Sequence, residues 1–412
     1  MADILLMNKD KPVASFREYY QLGKPLYDMQ KQFDSYLPYG FGEMDVWLEH
    51  RPAARHRKHI AGIMKQCGCD NARGYIDIMH AVSLTDTFWV KDVSSDLMWK
   101  DVSLFQNEFD ETIARTAFDG NGLYGIEFSP SKISPELATD GQYDKCWHRN
   151  GDRIYLMKSG TEGYANTGME PYSEKLASDL LDHTSCRHVH YDIGRFHGKL
   201  VSSCELFTDE QAGFVPFSLL LAEKNSRGSL GDILMFADKT GISEDFYHML
   251  VMDAVLVNTD RHTGNFGFLV DNDDGHILSM APLFDHNLAL RPGMMEGDDW
   301  QTDIVENCDT AFGTDFIVTA KDAMDRYPEI RSELIYLKSF KFMNPGEGFP
   351  EWRVNVLNEM KDFQISRILE QQKTLGLRVN NQRKLPLEGR FDDPMRDGLM
   401  KQYKSPSGTS VI

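Results

Sequence analysis

Apolar and polar positions change rhythm along the chain, and those changes outline its organisation. Two short apolar runs, Ile4-Leu-Leu-Met-Asn8 and Pro12-Val-Ala-Ser-Phe16, flank Lys-Asp-Lys, with Asp10 at the turn, which is the pattern of a small hairpin. From about Tyr19 to Phe118 the text is mixed and mostly helical. Within it, His59 to Cys67 carries apolar residues at helical spacing, and Gly68 would end that helix. Strand signals dominate from about Ile126 to Phe207. Arg153 to Lys158 reads as a strand closed by Ser159-Gly160, and residues 188–192 and 198–207 read as two more. Between them, Tyr172 to Leu181 reads as a helix. Leu176, Ala177, Leu180 and Leu181 share one face, and Pro171 suits the first turn.

After Phe207 the pattern turns helical. Ser243 can cap a helix whose first turn holds Glu244 and Asp245, both favourable at the positive N-terminal end. That helix, Phe246 to about Val257, is apolar almost all round and should be buried. A hairpin follows: Phe266 to Val270, a turn at Asp271 to Gly275, then His276 to Met280. The last third is helical again, including Trp352 to about Leu375, and the polar end reads as a loose tail. The expected organisation is an accessory domain over 1–125 (hairpin plus helices), a strand lobe over 126–208, a helical lobe over 209–379 and a tail over 380–412. The fold class is α+β.

Composition narrows the function. The chain has 412 residues, enough for two or three domains, and its 41% hydrophobic and 26% charged residues exclude wholesale disorder. With 44 Lys and Arg against 63 Asp and Glu, the net charge is −19. Direct nucleic-acid binding and anionic membranes are therefore not expected as partners, since phosphate binding needs clustered cations, and no helix-turn-helix is evident. Six cysteines in this length make no disulfide framework, and neither a membrane span nor a signal peptide is read, so a cytoplasmic setting is expected.

The chemistry concentrates in Asn258-Thr-Asp-Arg-His-Thr-Gly-Asn265-Phe-Gly-Phe, followed by Pro282-Leu-Phe-Asp285-His-Asn287. Asp260 and Asn265 lie five positions apart on a loop leaving a buried helix, and the hairpin can return Asp285 beside Asn265. Two carboxylates and one amide suit phosphoryl transfer: one acid orients a hydroxyl and takes its proton, while the amide oxygen and second acid hold Mg2+. The Asp260–Asn265 interval is that of the protein-kinase loop D-x-x-x-x-N, and Asp285-His-Asn stands where such kinases place D-F-G. Arg261-His262 after the Asp is the order of phosphoinositide-kinase-like and related atypical kinases. Upstream, Lys158 ends a strand, where it could contact phosphates. Glu174, on the next helix, could pair with it, with Glu170 and Asp179 as competing acids. Thr139, Gly141, Gln142 and Lys145 fall in a segment that could cover phosphates, with Gly141 allowing close backbone approach. Glu205-Leu-Phe207 falls where a hinge would bind adenine through its backbone. The fold expected from these parts is a two-lobed, protein-kinase-like one, an antiparallel-sheet N-lobe and a helical C-lobe, with a mostly helical N-terminal accessory domain.

The loop with its flanks, and the opening hairpin from Ile4 to Phe16, resemble HipA-like serine/threonine kinases, bacterial proteins often associated with toxin–antitoxin systems. The resemblance is specific over about Phe246 to Leu290. It implies ATP and Mg2+ as cofactors, Asp260 as catalytic base, Asn265 and Asp285 as metal ligands and Lys158 as the ATP-binding lysine; His262, beside the base, is a further candidate for binding the cofactor. It further implies a protein substrate with a Ser or Thr acceptor and a small antitoxin-like partner. In that family the phosphate loop can carry an inhibitory autophosphorylated serine; the nearest hydroxyls here are on Thr139 and Ser134.

Other readings stand beside this one. The same scaffold could phosphorylate a small molecule or phosphoinositide lipid, or bind nucleotide without catalysis. Asp253 inside the apolar helix reads as a satisfied acid bonding the loop after it. Cys186, His188 and His190 alternate, with His183 and His197 near, so a zinc site is thinkable, but a packed or solvated strand face is expected. Cys67-Gly-Cys69 reads as a helix end and residues 271–275 as a turn rather than a calcium loop. The basic run Arg51, Arg55, His56, Arg57, Lys58 and His59 reads as a solvated helix face.

Overall fold

In the computed structural model the described residues are 3–53, 59–120, 133–139, 143–162, 168–220 and 229–370. The opening alternation does form a hairpin, β1 (Asp3–Asn8) against β2 (Lys11–Gln21). The expectation of a mostly helical region after it needs correcting. β3 (Lys24–Gln32) adds to β2. After α1 (Met44–Glu49), α2 (Ile60–Cys67) and α3 (Ala72–Met79), β4 (Phe88–Asp92) adds to β1, giving an antiparallel sheet of order β3-β2-β1-β4. Neither added strand shows alternation. The edge strand β3 buries only Tyr27, and β4 buries Phe88, Trp89 and Val90 in succession. A mostly exposed edge strand and a continuous apolar run both lack the alternation that marks a half-buried strand. α2 ends where expected, at Gly68 in the left-handed region with φ 76°. α4 (Trp99–Val102) and α5 (Glu111–Asp119) follow, the latter capped by the Asp110 carboxylate.

The second sheet is built from β5 (Lys145–Asn150), β6 (Arg153–Ser159), β7 (Tyr191–Phe196) and β8 (Lys199–Glu205), antiparallel in the order β5-β6-β8-β7. α6 (Glu170–Leu181) packs against β6, β7 and β8, with Pro171 in its first turn. Residues 188–190 precede the strand expected to contain them; His188 makes a single parallel bridge to Leu283 instead.

A strand also stands where helix was expected. β9 (Ala212–Pro216) precedes α7 (Phe217–Leu220), α8 (Leu230–Thr240) and α9 (Ser243–Leu256), and pairs with β10 (Gly267–Asp271), which pairs with β11 (Ile277–Met280). Every residue of α9 from Phe246 to Leu256 is buried, as its uniform apolarity requires. Ser243 is not its cap. It is the first helical residue, and its hydroxyl bonds the Tyr327 hydroxyl at 2.7 Å. α10 (Trp300–Glu306), α11 (Phe316–Arg326), α12 (Ile330–Leu337) and α13 (Glu351–Leu369) complete the described chain, and α11 and α13 pack on α9. Residues Met1–Leu369 form one compact unit, and the expected polar tail lies outside the described residues. Among the described residues, no helix is long and apolar enough to cross a membrane.

β10 starts two residues after Asn265, so its seating fixes the end of the 258–265 loop. Gly267 permits that seating, because a Cβ built there would lie 2.1 Å from the Val215 carbonyl oxygen. Gly267→Ala is expected to cost about 1–3 kcal/mol of stability by forcing β9 and β10 apart. A lower urea midpoint at unchanged m-value would show it; a wild-type midpoint would contradict it.

Candidate active site

The loop after α9 is organised around one buried guanidinium. α9 ends at Val257 in the left-handed region, and the Asn258 N–H returns to the Asp253 carbonyl at 2.9 Å. Arg261, 1% exposed, turns inward. Its Nε and Nη2 donate to the two Asp253 carboxylate oxygens at 3.0 and 3.1 Å. Nη1 donates to the carbonyls of Asn265 at 2.9 Å and Phe284 at 2.6 Å, and Nη2 also reaches His286 Nε2 at 2.9 Å. One side chain thus joins the buried helix, the loop and the segment carrying Asp285. Asp253 acts as expected of a satisfied acid, through Arg261 and the Asn258 amide (3.0 Å). The Asn265 amide nitrogen donates to the Asp260 carbonyl at 2.8 Å, so its oxygen is the atom left to accept or ligate.

A second convergence comes from the sheet. Lys158 on β6 donates to Glu174 of α6 at 2.8 Å and also to Asp285. The Ser202 hydroxyl, on the neighbouring strand β8, donates to the other Glu174 oxygen. Of the three acids near this helix, geometry selects Glu174: Asp179 pairs with Lys175 at 2.6 Å, and Glu170 bonds Thr161. Asp285 sits at φ 57°, a left-handed conformation that Asp tolerates, and its N–H donates to the Tyr191 hydroxyl at 3.1 Å.

Charges around these groups are strongly coupled. Burial acts to raise the Asp285 pKa, but the Lys158 ammonium outweighs it and holds the carboxyl down at about 2, with Lys145 and Arg261 assisting. Burial raises Asp260 and the Asp285 charge raises it further, while His262, Lys158 and Arg261 pull it down; the net shift is upward. Burial acts to lower Lys158, yet Asp285 and Glu174 hold it firmly protonated. His286 is driven well below the usual imidazole range by burial and by Arg261 beside it. The Asp285 carboxylate and the Asn265 amide oxygen are each hard oxygen donors, the kind Mg2+ takes.

The other residues singled out in the sequence are placed less uniformly. Lys145 opens β5 directly across from Lys158. His262 is exposed, and its Nδ1 accepts the Gly264 N–H at 3.0 Å. Gly141 and Gln142 lie outside the described residues. Thr139 is committed to local structure: its hydroxyl donates to the Pro135 carbonyl at 2.6 Å and accepts from the Trp147 indole at 2.7 Å. Ser134 is fully buried against Glu136, so neither hydroxyl faces outward. The Glu205 carboxylate pairs with Arg153 at 3.4 Å, and the Leu206 N–H is taken by the Ile154 carbonyl at 2.8 Å. Phe207 packs its ring on Phe214 and Phe284, each 5.5 Å away, which anchors the residue before Asp285. Of the basic run, Arg51 is tied to Asp86 and the Ala81 carbonyl, not solvated, and residues 54–58 lie outside the described ones. Sequence reasoning missed Arg261, Tyr191 and Ser202 as positioning residues. The signal for Arg261 was Asp253, an acid inside an otherwise apolar helix that needs a buried cation.

Among the described residues, antiparallel sheets and many helices make a mixed α/β fold in which Lys158, Glu174 and Asp285 meet from a strand, a helix and a loop. The HipA of Shewanella oneidensis, solved with HipB and its operator DNA, superposes with a TM-score of 0.53 at 13% identity, over 89% of this chain and 97% of that one. In sequence the chain is 29% identical over 186 residues to the serine/threonine-protein kinase CtkA of Helicobacter pylori, covering 40% of this chain and 56% of that protein. The match thus spans just over half the length of this curated relative. The crystal structure of the proinflammatory kinase CtkA aligns at a TM-score of 0.46 and 23% identity, over 57% of this chain and 92% of that one. No family model matches. Over the matched part the chain is similar in sequence to a serine/threonine-protein kinase, and over most of its length it shares the fold of that HipA.

Removing the acid under Arg261 tests the organisation of the loop. Asp253→Asn leaves a buried guanidinium uncompensated and is expected to cost about 3–5 kcal/mol. Chemical denaturation of the purified variant measures this; a loss within error of zero would contradict it.

Proposed function

We propose that the chain is an ATP- and Mg2+-dependent kinase that transfers the γ-phosphoryl group to a Ser or Thr hydroxyl of a protein. The observation that carries the reading is the convergence of Lys158, Glu174 and Asp285 from a strand, a helix and a distant loop. Arg261 ties Asp285's segment to Asp260 and Asn265. In this reading the β5–β8 sheet with α6 is the nucleotide-covering lobe and the α9 region is the other lobe.

Each residue then has a definable task. Lys158, held by Glu174, swings from Asp285 onto the phosphates. Lys145, opposite Lys158 in the sheet, adds a second cation. Two lysines facing each other across a ladder repel, a cost that Asp285 and Glu174 offset and that a polyanion would relieve. Asp285 and the Asn265 amide oxygen would hold Mg2+, which when bound neutralises phosphate charge. Asp260 orients the acceptor hydroxyl and takes its proton, and its raised basicity suits that role. The 205–207 segment lies where adenine would be read; Leu206 is already bonded, so Glu205 and Phe207 are the backbone candidates. Rate would come mainly from positioning and charge neutralisation.

A protein acceptor is supported by the name of the relative CtkA, a serine/threonine-protein kinase. The HipA neighbour was solved with HipB and DNA, which lends no support to the expectation that direct nucleic-acid binding is absent and keeps the small antitoxin-like partner in the proposal.

Purified protein with Mg2+ and γ-labelled ATP should label itself or a protein in an extract on Ser or Thr. Asp260→Asn should lower transfer by about 100- to 10,000-fold while nucleotide binding persists. Asp285→Asn should weaken Mg-ATP binding itself. Label entering only lipid or small molecules would move the acceptor class, and no label anywhere would overturn the reading.

A further inference from the structure

Outside the Lys158–Asp285 cluster, a second group of metal-ligating side chains converges at the end of α6. Asp182 is the residue that closes that helix. His188 Nε2 lies 3.2 Å and His190 Nδ1 3.0 Å from the same Asp182 carboxylate oxygen. All three ligand atoms fall within 4.8 Å of one another. Donor atoms sharing one tetrahedral zinc ion at its usual bond lengths sit about 3.3 Å apart, so two of the three spacings already fit. The two imidazoles come from positions i and i+2 of an extended segment, which places them on one side, with ring centroids 4.7 Å apart.

The hydrogen bonding of His188 argues for a cation at this point. Its Nδ1 lies 3.0 Å from the Cys186 carbonyl oxygen. A carbonyl only accepts, so Nδ1 carries the hydrogen. Nε2 is then the nitrogen that faces the Asp182 oxygen. A ring nitrogen fixed by a backbone carbonyl on its far side is the usual arrangement of a metal-binding histidine. The cluster also sits at the negative end of the α6 dipole, which favours positive charge.

We propose that Asp182, His188 and His190 form a binding site for one zinc-class divalent cation, held by one carboxylate oxygen and two imidazole nitrogens with water completing the shell. Two nitrogens and one oxygen select zinc and its neighbours over magnesium or calcium. Cys186, grouped with the histidines in the sequence, is not part of the trio whose ligand atoms converge. His183 packs on the Phe340 ring at 4.9 Å, and His197 on Phe196 at 4.3 Å. The bound ion would tie the end of the helix carrying Glu174 to the segment that pairs with Leu283. That pairing runs through the Val189 N–H to the Leu283 carbonyl (2.9 Å) and the Leu283 N–H to the Arg187 carbonyl (2.8 Å), two residues before Asp285. The site does not depend on the kinase reading.

The test is equilibrium titration of the chelator-stripped full chain with Zn2+ alone, without nucleotide or Mg2+, against a chromophoric competitor. His190 and Asp182 are 75% and 44% exposed, so His190→Ala and Asp182→Asn should fold as wild type, with circular dichroism as the check. Each is expected to weaken zinc binding by about tenfold or more. Two controls should retain it: Asp285→Asn, and His276→Ala in the trio Asp271, Asp274 and His276, the other described group with three close ligand atoms. No zinc uptake by wild type, unchanged binding in either test variant, or an equal loss in either control would overturn the proposal.

Discussion

The buried Arg261 guanidinium is the constraint on which the site depends. A fully buried cation is costly unless its donors are all used and its charge is met. Here Asp253 supplies the charge from inside α9, and two carbonyls and an imidazole take the remaining donors. Because those acceptors belong to three separate segments, satisfying one side chain fixes the position of all three. The loop with Asp260 and Asn265 and the segment with Asp285 cannot drift apart without stranding that charge. Burial, assisted by the same guanidinium, holds the neighbouring His286 well below the usual imidazole range, which lets its nitrogen serve as an acceptor.

Lys158 plays the complementary part from the sheet. It is shared between Glu174, deeply buried and bonded by Ser202, and Asp285, which is partly open. The two partners differ in how firmly they are held. Glu174 is enclosed on every side, whereas Asp285 keeps a solvent-facing edge from which a lysine can withdraw. An ammonium shared in this way can move to an incoming anion without losing its buried partner. That asymmetry links the packing of α6 on β8 to the charge state of the site.

Much of this was legible in the chain. The hairpin at the start, the all-apolar α9 and the β10–β11 hairpin follow from period, turn residues and spacing. Lys158 and Glu174 were readable as a strand-end lysine and an acid on the following helix. What was not readable depended on neighbours distant in sequence. β3 is an edge strand with one buried side chain, and β9 is five residues set by its pairing with β10. Ser243 looked like a cap because its side chain can cap, but Tyr327 claims its hydroxyl. Thr139 looked like part of a phosphate loop, yet Trp147 and Pro135 use it. Arg261 was visible only as a change of order beside Asp260. Its role needed the knowledge that Asp253 faces the loop.

The most direct measurement of the central claim is a crystal structure with a non-hydrolysable ATP analogue and Mg2+. The account predicts the metal at about 2.0–2.1 Å from oxygens of Asp285 and Asn265. It also predicts the Lys158 ammonium shifted from Asp285 onto the phosphates, with its Glu174 contact intact. Nucleotide bound elsewhere, for instance in the cavity of about 590 Å3 beside Arg115, Trp147 and Arg149, with Lys158 still on Asp285, would contradict it.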